Sequence, residues 1–425
     1  MKVRLNPLPL AAPRVVNIAS LGLLTTLLVP GLSLAAPGEH IRTGDAVITP
    51  HVSLGLEYYT NPYHSEATGP GSSATGLNLS PGLDIRLGGE DVDFDFGGLY
   101  DLRKFVGDQD KGLDRFSDFS IKADLNANKQ GVVGLRLHEG AGLKNQPADA
   151  AGSDNPFLTQ TRNQTTGAVV VRPGPAFELN AGGLFEVDDY AFVPGGTTAG
   201  NRTFNTRLGY GPRGGLAWKF LPKTALAVDA EYKLQSWSNQ VLVSPTQNVE
   251  YPSSSYLRVT GGMRGRVTDK LTVALSAGYG TAAFDATSVS DPTFAPNATG
   301  LQKLLVDLVW RYELSDDDRF AVGFQRDVNP SYFTAFMATN KGFVTADARF
   351  TDRFGLNGEF NVRGEAFKGQ VERTDLVLDA KGAATYYAQD YASVSLGAQW
   401  VERSSTDLRV AYDDVRVNLM GTFTY

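Results

Sequence analysis

Apolar and charged side chains alternate with a period of two residues along much of this chain. In residues 301–314, LQKLLVDLVWRYEL, one set of alternate positions from Leu304 onward is apolar, and the other set holds the charges. A helix would scatter those charges around its circumference, whereas a strand places them on one face. The same period recurs in residues 91–103, 225–235 and 354–367. The pattern predicts long amphipathic β-strands.

Strand length separates two kinds of protein that share this pattern. A soluble β-sandwich would also alternate, but its strands have about 5 to 6 residues, and the runs here are longer. A tilted transmembrane strand needs about 9 to 11 residues. The hydrophobic content of 42% and the mean hydropathy of −0.19 exclude a polytopic helical membrane protein. Length therefore favours a membrane β-barrel.

The connections between the runs alternate in length. Tight turns such as 88–91 and 351–353 alternate with longer segments rich in Gly, Ser, Thr, Asn and Pro, such as 60–74 and 143–161. Bacterial outer-membrane barrels have short periplasmic turns and longer extracellular loops. We therefore expect an all-β fold, a transmembrane antiparallel up-and-down β-barrel of about 18 strands, within a range of 16–18. An even number returns both termini to the periplasm.

The N-terminus predicts export. Basic residues, an apolar stretch and small residues before Ala36 resemble a cleaved secretory signal, the alternative being a membrane anchor. We expect a signal peptide at 1–35, a short periplasmic segment at 36–45 and the barrel at 46–425. So short a segment before the first strand leaves no room for a transporter plug or for periplasmic docking modules.

The last twelve residues, DVRVNLMGTFTY at 414–425, alternate and end in an aromatic residue. Phe423 and Tyr425 resemble the C-terminal signature that the barrel-assembly machinery recognises in outer-membrane proteins. The alternative is an edge strand of a periplasmic sandwich. We expect a protein of the bacterial outer membrane whose partners include outer-membrane lipid and that machinery.

If the chain forms a barrel, its charged parity faces the lumen. The signs are mixed, so no filter for a single ion is implied. The charges could pair across neighbouring strands and fix their register, or they could form a hydrated wall for a polar solute, since barrels of 16–18 strands leave an aqueous channel. The lumen-facing candidates are Asp93, Asp95, Arg103, Arg136, Arg213, Asp229, Glu231, Lys233, Arg258, Arg264, Lys303, Asp307, Arg311, Asp347, Arg349, Glu359, Arg363 and Arg416.

Composition argues against several other functions. The 39 basic and 46 acidic residues give a net charge of −7, whereas nucleic-acid binders usually carry a basic domain. The chain has no cysteine and four histidines, and we find no nucleophile paired with a base and no phosphate-binding glycine loop. We predict no enzyme activity, no catalytic residue, no cofactor and no metal site.

The first predicted hairpin resembles a known family. A strand ends in an Asn61-Pro62-Tyr63 corner after Tyr59, and a second strand contains Ser80-Pro81-Gly82. This arrangement is similar to the opening of the putative β-barrel porin 2 family, although Thr60 stands where that family usually has an acidic residue. The resemblance implies an outer-membrane barrel that takes part in exopolysaccharide secretion with periplasmic polysaccharide-export proteins.

Three functions remain open. A polysaccharide channel would need a polar path and aromatic side chains in the lumen, for which Tyr256 and Phe343 have the right parity. A general diffusion porin for small polar solutes would be narrowed by an inward-folded loop, for which 143–161, the longest predicted loop, is the candidate through Lys144, Asp149 and Asp154. A structural or adhesive barrel would have a lumen plugged by paired charges.

Overall fold

The alternating runs form β-strands in a computed structural model. It describes residues 40–62, 64, 73–107, 115–147, 157–193, 203–238, 241–244, 247–249, 253–285, 301–315, 318–330, 336–368 and 372–425. The strands are β1 (Ile41–Thr43), β2 (Ala46–Tyr59), β3 (Ala74–Gly88), β4 (Val92–Gly107), β5 (Arg115–Ala127), β6 (Val133–Pro147), β7 (Phe157–Gly174), β8 (Phe177–Val193), β9 (Thr203–Leu221), β10 (Thr224–Trp237), β11 (Val241–Ser244), β12 (Gln247–Val249), β13 (Ser254–Arg266), β14 (Leu271–Phe284), β15 (Leu301–Glu313), β16 (Arg319–Pro330), β17 (Phe336–Thr351), β18 (Phe354–Lys368), β19 (Arg373–Gln389), β20 (Ala392–Ser405) and β21 (Tyr412–Thr424).

Eighteen of these strands, β2 to β10 and β13 to β21, pair antiparallel in chain order. The sheet closes where β2 pairs with β21, from His51 opposite Thr424 to Tyr59 opposite Arg416. Closure leaves the barrel without a free sheet edge, as spanning a membrane requires. The predicted fold class and strand number are confirmed. Among the described residues, no helix is long and apolar enough to cross a membrane.

Short and long connections alternate around the barrel. We call one rim the short-turn end, because it carries tight links such as that from β17 to β18 and also the end of β21 and the start of β2. We call the opposite rim the long-loop end. By the outer-membrane pattern, the short-turn end is the periplasmic one.

One predicted loop was wrong in its extent. Residues 143–161 are not the longest connection, because β6 continues to Pro147, β7 begins at Phe157, and the link between β14 and β15 is longer. Backbone hydrogen bonds do not require apolar side chains, so polar residues at this end remain in the sheet. Lys144 therefore belongs to a strand, and Asp149 and Asp154 lie outside the described residues.

The register separates an outer from an inner face. On β2, Leu54, Leu56 and Tyr58 share one face and are exposed. They stand opposite Leu79, Leu77 and Thr75 of β3, which continue the same face. Because the exposed side chains of this face are mostly leucine, valine and aromatic residues around the barrel, it is the lipid-facing surface. The other parity faces the lumen.

Glycines within strands permit close approach of neighbouring backbones. A Cβ at Gly211 would lie 1.8 Å from the carbonyl oxygen of Tyr232. A Cβ at Gly182 would lie equally close to the carbonyl oxygen of Gly167. Only glycine fits at such positions without a shift of the neighbouring backbone.

Candidate functional site

The candidate site is the lumen wall. All eighteen sequence-predicted charged residues occupy lumen-facing positions, because each has the parity opposite to the exposed apolar face of its strand. Whether they contact a solute stays a prediction. The structure adds a difference between the two halves of the wall that the alternation alone does not contain.

Many charged side chains are solvent-exposed in the short-turn half, where Glu178 is a buried exception that lies 2.9 Å from Arg136. The side chain of Arg86 is 80% exposed, that of Asp84 62% and that of Asp95 55%. All three residues lie near the ends of β3 and β4 that the tight turn connects. We call the hydrated lumen of this half the basin, defined by Asp84, Arg86, Asp95, Arg136, Arg213, Asp229 and Arg264.

The exposed ion pairs in the basin range from hydrogen-bonded to loose, and the charges there are mixed in sign. Arg264 Nη1 lies 3.7 Å from Asp229 Oδ2, and Arg86 Nε lies 3.1 Å from Asp95 Oδ1. A concavity of about 390 Å³ lies on this wall, and Arg213 is one of its lining residues. Exposed pairs of this kind contribute little to stability, so the groups remain available to a polar solute.

Five of the predicted lumen residues form no ion pair within 4 Å with any described residue. They are Arg213, Glu231, Lys303, Arg311 and Asp347. By contrast, Glu359 Oε2 lies 2.7 Å from Lys381 Nζ. His138, which also faces the lumen from β6, lies 2.7 Å from Asp124.

In the long-loop half, a set of charged side chains is paired, and most of its members are buried. We call this set the belt: Glu57, Arg103, Glu186, Asp188, Arg207, Lys233, Glu365, Arg373, Asp375, Arg403, Asp414 and Arg416. The side chains of Asp188, Asp375 and Asp414 are 0% exposed. Buried ions require partners and hydrogen bonds, which the three segments of the belt supply.

The first segment spans β8 to β10. The Arg207 guanidinium donates a hydrogen bond to Asp188 and lies 3.5 Å from Glu186. Lys233 Nζ lies 3.2 Å from the same Glu186 oxygen. Gln160 of β7 also donates to Asp188, at 2.9 Å. Arg207 and Lys233 thus neutralise Glu186 and Asp188 within the wall, and Arg162 is a third base 3.7 Å from Asp188.

The second segment spans β18 to β20. Arg403 lies between two acids, 3.2 Å from Glu365 and 3.6 Å from Asp375. Asp375 also pairs with Arg373 at 3.0 Å and accepts a hydrogen bond from Ser405. The segment therefore ties three neighbouring strands together on the lumen side.

The third segment lies at the seam between β2 and β21. Asp414 accepts hydrogen bonds from the Asn61 amide at 2.9 Å, the Thr60 hydroxyl at 3.3 Å and Arg416 Nε at 2.6 Å. The Thr60 hydroxyl in turn accepts from the amide of Val415 at 2.7 Å. The carboxylate at this corner comes from Asp414 on the last strand.

His64 completes this corner. Its ring stacks on Tyr412, with centroids 3.9 Å apart, and its Nε2 lies 2.9 Å from Arg416 Nη2. Burial, followed by the positive charges of Arg416 and Arg403, holds the pKa of His64 well below its ordinary value. The imidazole is therefore neutral and can accept the Arg416 hydrogen bond.

The two aromatic candidates differ in accessibility. Tyr256 is buried in a cluster with Ala282, Val328 and Phe336, so it packs the wall and offers no face to a solute. Phe343 is half-buried at the middle of β17, and it covers Gly323 on the lumen side. Phe343 is thus the accessible candidate of the two.

Sequence reasoning missed much of the belt. The residues it did not single out include Glu57, Glu186, Asp188, Arg207, Arg373, Asp375, Arg403 and Asp414. They have the same parity as the predicted residues. However, they lie near the long loops, where the alternation of apolar and charged residues ends and polar loop residues begin. His64 and Asp414 could not be connected from the sequence, because 350 residues separate them.

Comparison with solved structures finds large barrels of low similarity. The FrpB iron transporter from Neisseria meningitidis is 10% identical, with 84% of this chain and 62% of that chain covered and a TM-score of 0.45. This chain therefore spans less than two thirds of the length of FrpB. A mutant of the ferric enterobactin receptor PfeA from Pseudomonas aeruginosa is 9% identical over 91% and 81% of the two chains, with a TM-score of 0.44. The ferric-catecholate import receptor Fiu of E. coli K12 is also 9% identical, over 90% and 82%, with a TM-score of 0.44.

Sequence comparison is more informative about the family. Curated proteins gave no significant match. The profile of one family, however, covers nearly the whole chain and extends far beyond the first hairpin. It matches residues 37–424, and the chain belongs to the putative beta-barrel porin 2 family.

Proposed function

We propose that this porin-family barrel is an outer-membrane channel through which an exopolysaccharide leaves the cell. The observation that carries the proposal is the contrast between an open, hydrated basin and a packed belt. An exposed polar wall at the short-turn end, which is periplasmic by the outer-membrane pattern, suits a chain that is handed over by periplasmic export proteins. The belt then forms the outer part of the passage.

The chemistry of the basin suits a hydroxyl-rich polymer. Carboxylates accept and guanidinium groups donate hydrogen bonds, so a wall with both binds sugar hydroxyls without favouring one ionic charge. Arg213 and Asp229 both line the 390 Å³ concavity. The half-buried ring of Phe343 adds an apolar surface for the C–H face of a sugar.

Location and assembly belong to the same proposal. Phe423 is exposed on the lipid-facing side of β21, and the amide of Tyr425 donates to Pro50 at the start of β2. The last strand therefore ends with aromatic side chains at the short-turn rim, where the barrel-assembly machinery would bind it. Outer-membrane lipid covers the exposed apolar face.

Single-channel recording in planar bilayers tests the channel function. We expect steady openings that acidic or neutral polysaccharide blocks when it is added on the short-turn side and that monosaccharides leave unchanged. Phe343→Ala should weaken the block, whereas Phe350→Ala, at an exposed lipid-facing position of the same strand, should not.

Two other outcomes would replace the proposal. Steady openings that polymer does not affect would favour a general diffusion porin, which the mixed charge of the basin also suits. No conductance from a barrel shown to be folded by heat-modifiable gel migration would favour a structural barrel, because the belt would then close the lumen.

A further inference from the structure

The lipid-facing surface has one polar notch among the described strands, on β6 and β7. Glu139 has the outward parity of Leu135 and Leu137 on β6, both of which are exposed. Across the sheet it stands opposite Ala123 of β5 and Thr165 of β7. A carboxylate thus occupies an outward position between apolar residues of its own strand, beside Ala123 of β5 and the polar Thr165 of β7.

Two side chains on the same face hold this carboxylate. The Asn163 amide donates to one oxygen of Glu139, and the Thr165 hydroxyl donates to the other. Asn163 and Thr165 are alternate residues of β7, which confirms that all three point the same way. No ion pair within the described ranges includes Glu139, so each carboxylate oxygen keeps a lone pair without a partner.

Glu139 lies within the apolar band rather than at its rim. Beyond it toward the long-loop end, Leu143 pairs with Phe119 of β5 on the same face. The other charged side chains described at outward positions stand close to the long-loop ends of their strands. They are Lys104, Asp189, Arg326, Glu402 and Asp413. A charge inside the band is costly against acyl chains.

The surface around the notch is shallow. Ala123 and Ala141 flank Glu139 on β5 and β6, and Gly167 and Gly183 continue the outward face on β7 and β8. Small residues of this kind let two membrane-embedded backbones come close together. The notch therefore has both the chemistry and the shape of a protein contact.

We propose that a second copy of this chain covers the notch. All copies insert in the same orientation, so a twofold axis along the membrane normal brings the notch of one copy to the same depth as that of the other. The Thr165 proton is already donated to Glu139 of its own chain, but the second N–H of each Asn163 amide can then donate to the carboxylate of the other copy. A lipopolysaccharide headgroup is excluded as occupant, because its phosphates are repelled by Glu139 and lie at the membrane surface.

Cysteine crosslinking in lipid vesicles tests the interface. The chain has no cysteine, so single variants are unambiguous. Ala141→Cys places a thiol beside the notch, and Ala277→Cys is a matched control at an outward position in the middle of β14. We expect oxidation to give a disulfide-linked dimer of Ala141→Cys in several-fold higher yield than of Ala277→Cys.

A second change separates the contact from random collision. Adding Glu139→Leu to Ala141→Cys should reduce the dimer to the control yield, and Glu139→Gln should retain most of it. Heat-modifiable gel migration verifies that each variant is folded. Equal yields from the two cysteines, or a yield that Glu139→Leu leaves unchanged, would overturn the interface. The proposal does not depend on what passes through the lumen, so channel recordings neither support nor refute it.

Discussion

Removal of the Asp414 carboxylate should destabilise the barrel far more than removal of an exposed lumen carboxylate. Asp414 is fully buried and accepts hydrogen bonds from Asn61, Thr60 and Arg416. Breaking a buried ion pair by deleting one partner costs about 3–5 kcal/mol, because the remaining charge is left uncompensated. We therefore expect Asp414→Ala to lower the free energy of unfolding by about that amount.

Asp95→Ala is the matched control. Asp95 pairs with Arg86, but the two side chains are 55% and 80% exposed, and exposed pairs contribute about 0–1 kcal/mol. Unfolding in guanidinium chloride, with the barrel in lipid vesicles and tryptophan fluorescence as the signal, measures both variants. If Asp414→Ala lowers stability no more than Asp95→Ala does, the belt is not a set of buried, mutually dependent charges and the reasoning fails.

Three further results are expected. Burial and Arg416 lower the pKa of His64, so on acidification the unfolded chain takes up a proton before the folded one does. The free energy of unfolding should therefore fall as the pH drops below about 6.5. His64→Gln should flatten that dependence in unfolding curves measured across pH. Arg213→Glu should shift the reversal potential of the open channel in a salt gradient toward cation selectivity, and an unchanged potential would remove Arg213 from the conducting path. Replacing Phe423 and Tyr425 by alanine should lower the fraction of heat-modifiable barrel made in cells while leaving the stability of refolded protein nearly unchanged; equal assembly of wild type and variant would argue against a C-terminal recognition signal.

The strand pattern was predictable because a barrel wall has only two environments. Alternation fixes which residues face lipid and which face the lumen, so the parity of residues such as Asp95 and Asp188 follows from the sequence. Their burial does not follow, since Asp188 is buried by Arg207 and Gln160 from adjacent strands, and that arrangement depends on register. Glu139 could have been found from the sequence, because it shares the parity of Leu135 and Leu137.

The corner at the seam was not predictable for a different reason. Asn61 and Asp414 are 353 residues apart, and their contact exists only because β2 and β21 meet when the sheet closes. The carboxylate that binds Asn61 comes from the other end of the sequence. Residue spacing along the chain does not reveal such a contact.

The seam also bears on the order in which the molecule is made. Asn61 is synthesised long before Asp414, so the corner remains without its carboxylate until the final strand arrives. A chain interrupted anywhere before residue 414 cannot satisfy the Thr60 and Asn61 donors, and its first strand keeps an open edge. Completion is thereby coupled to a single late contact, and an unfinished molecule differs chemically from a finished one at this corner.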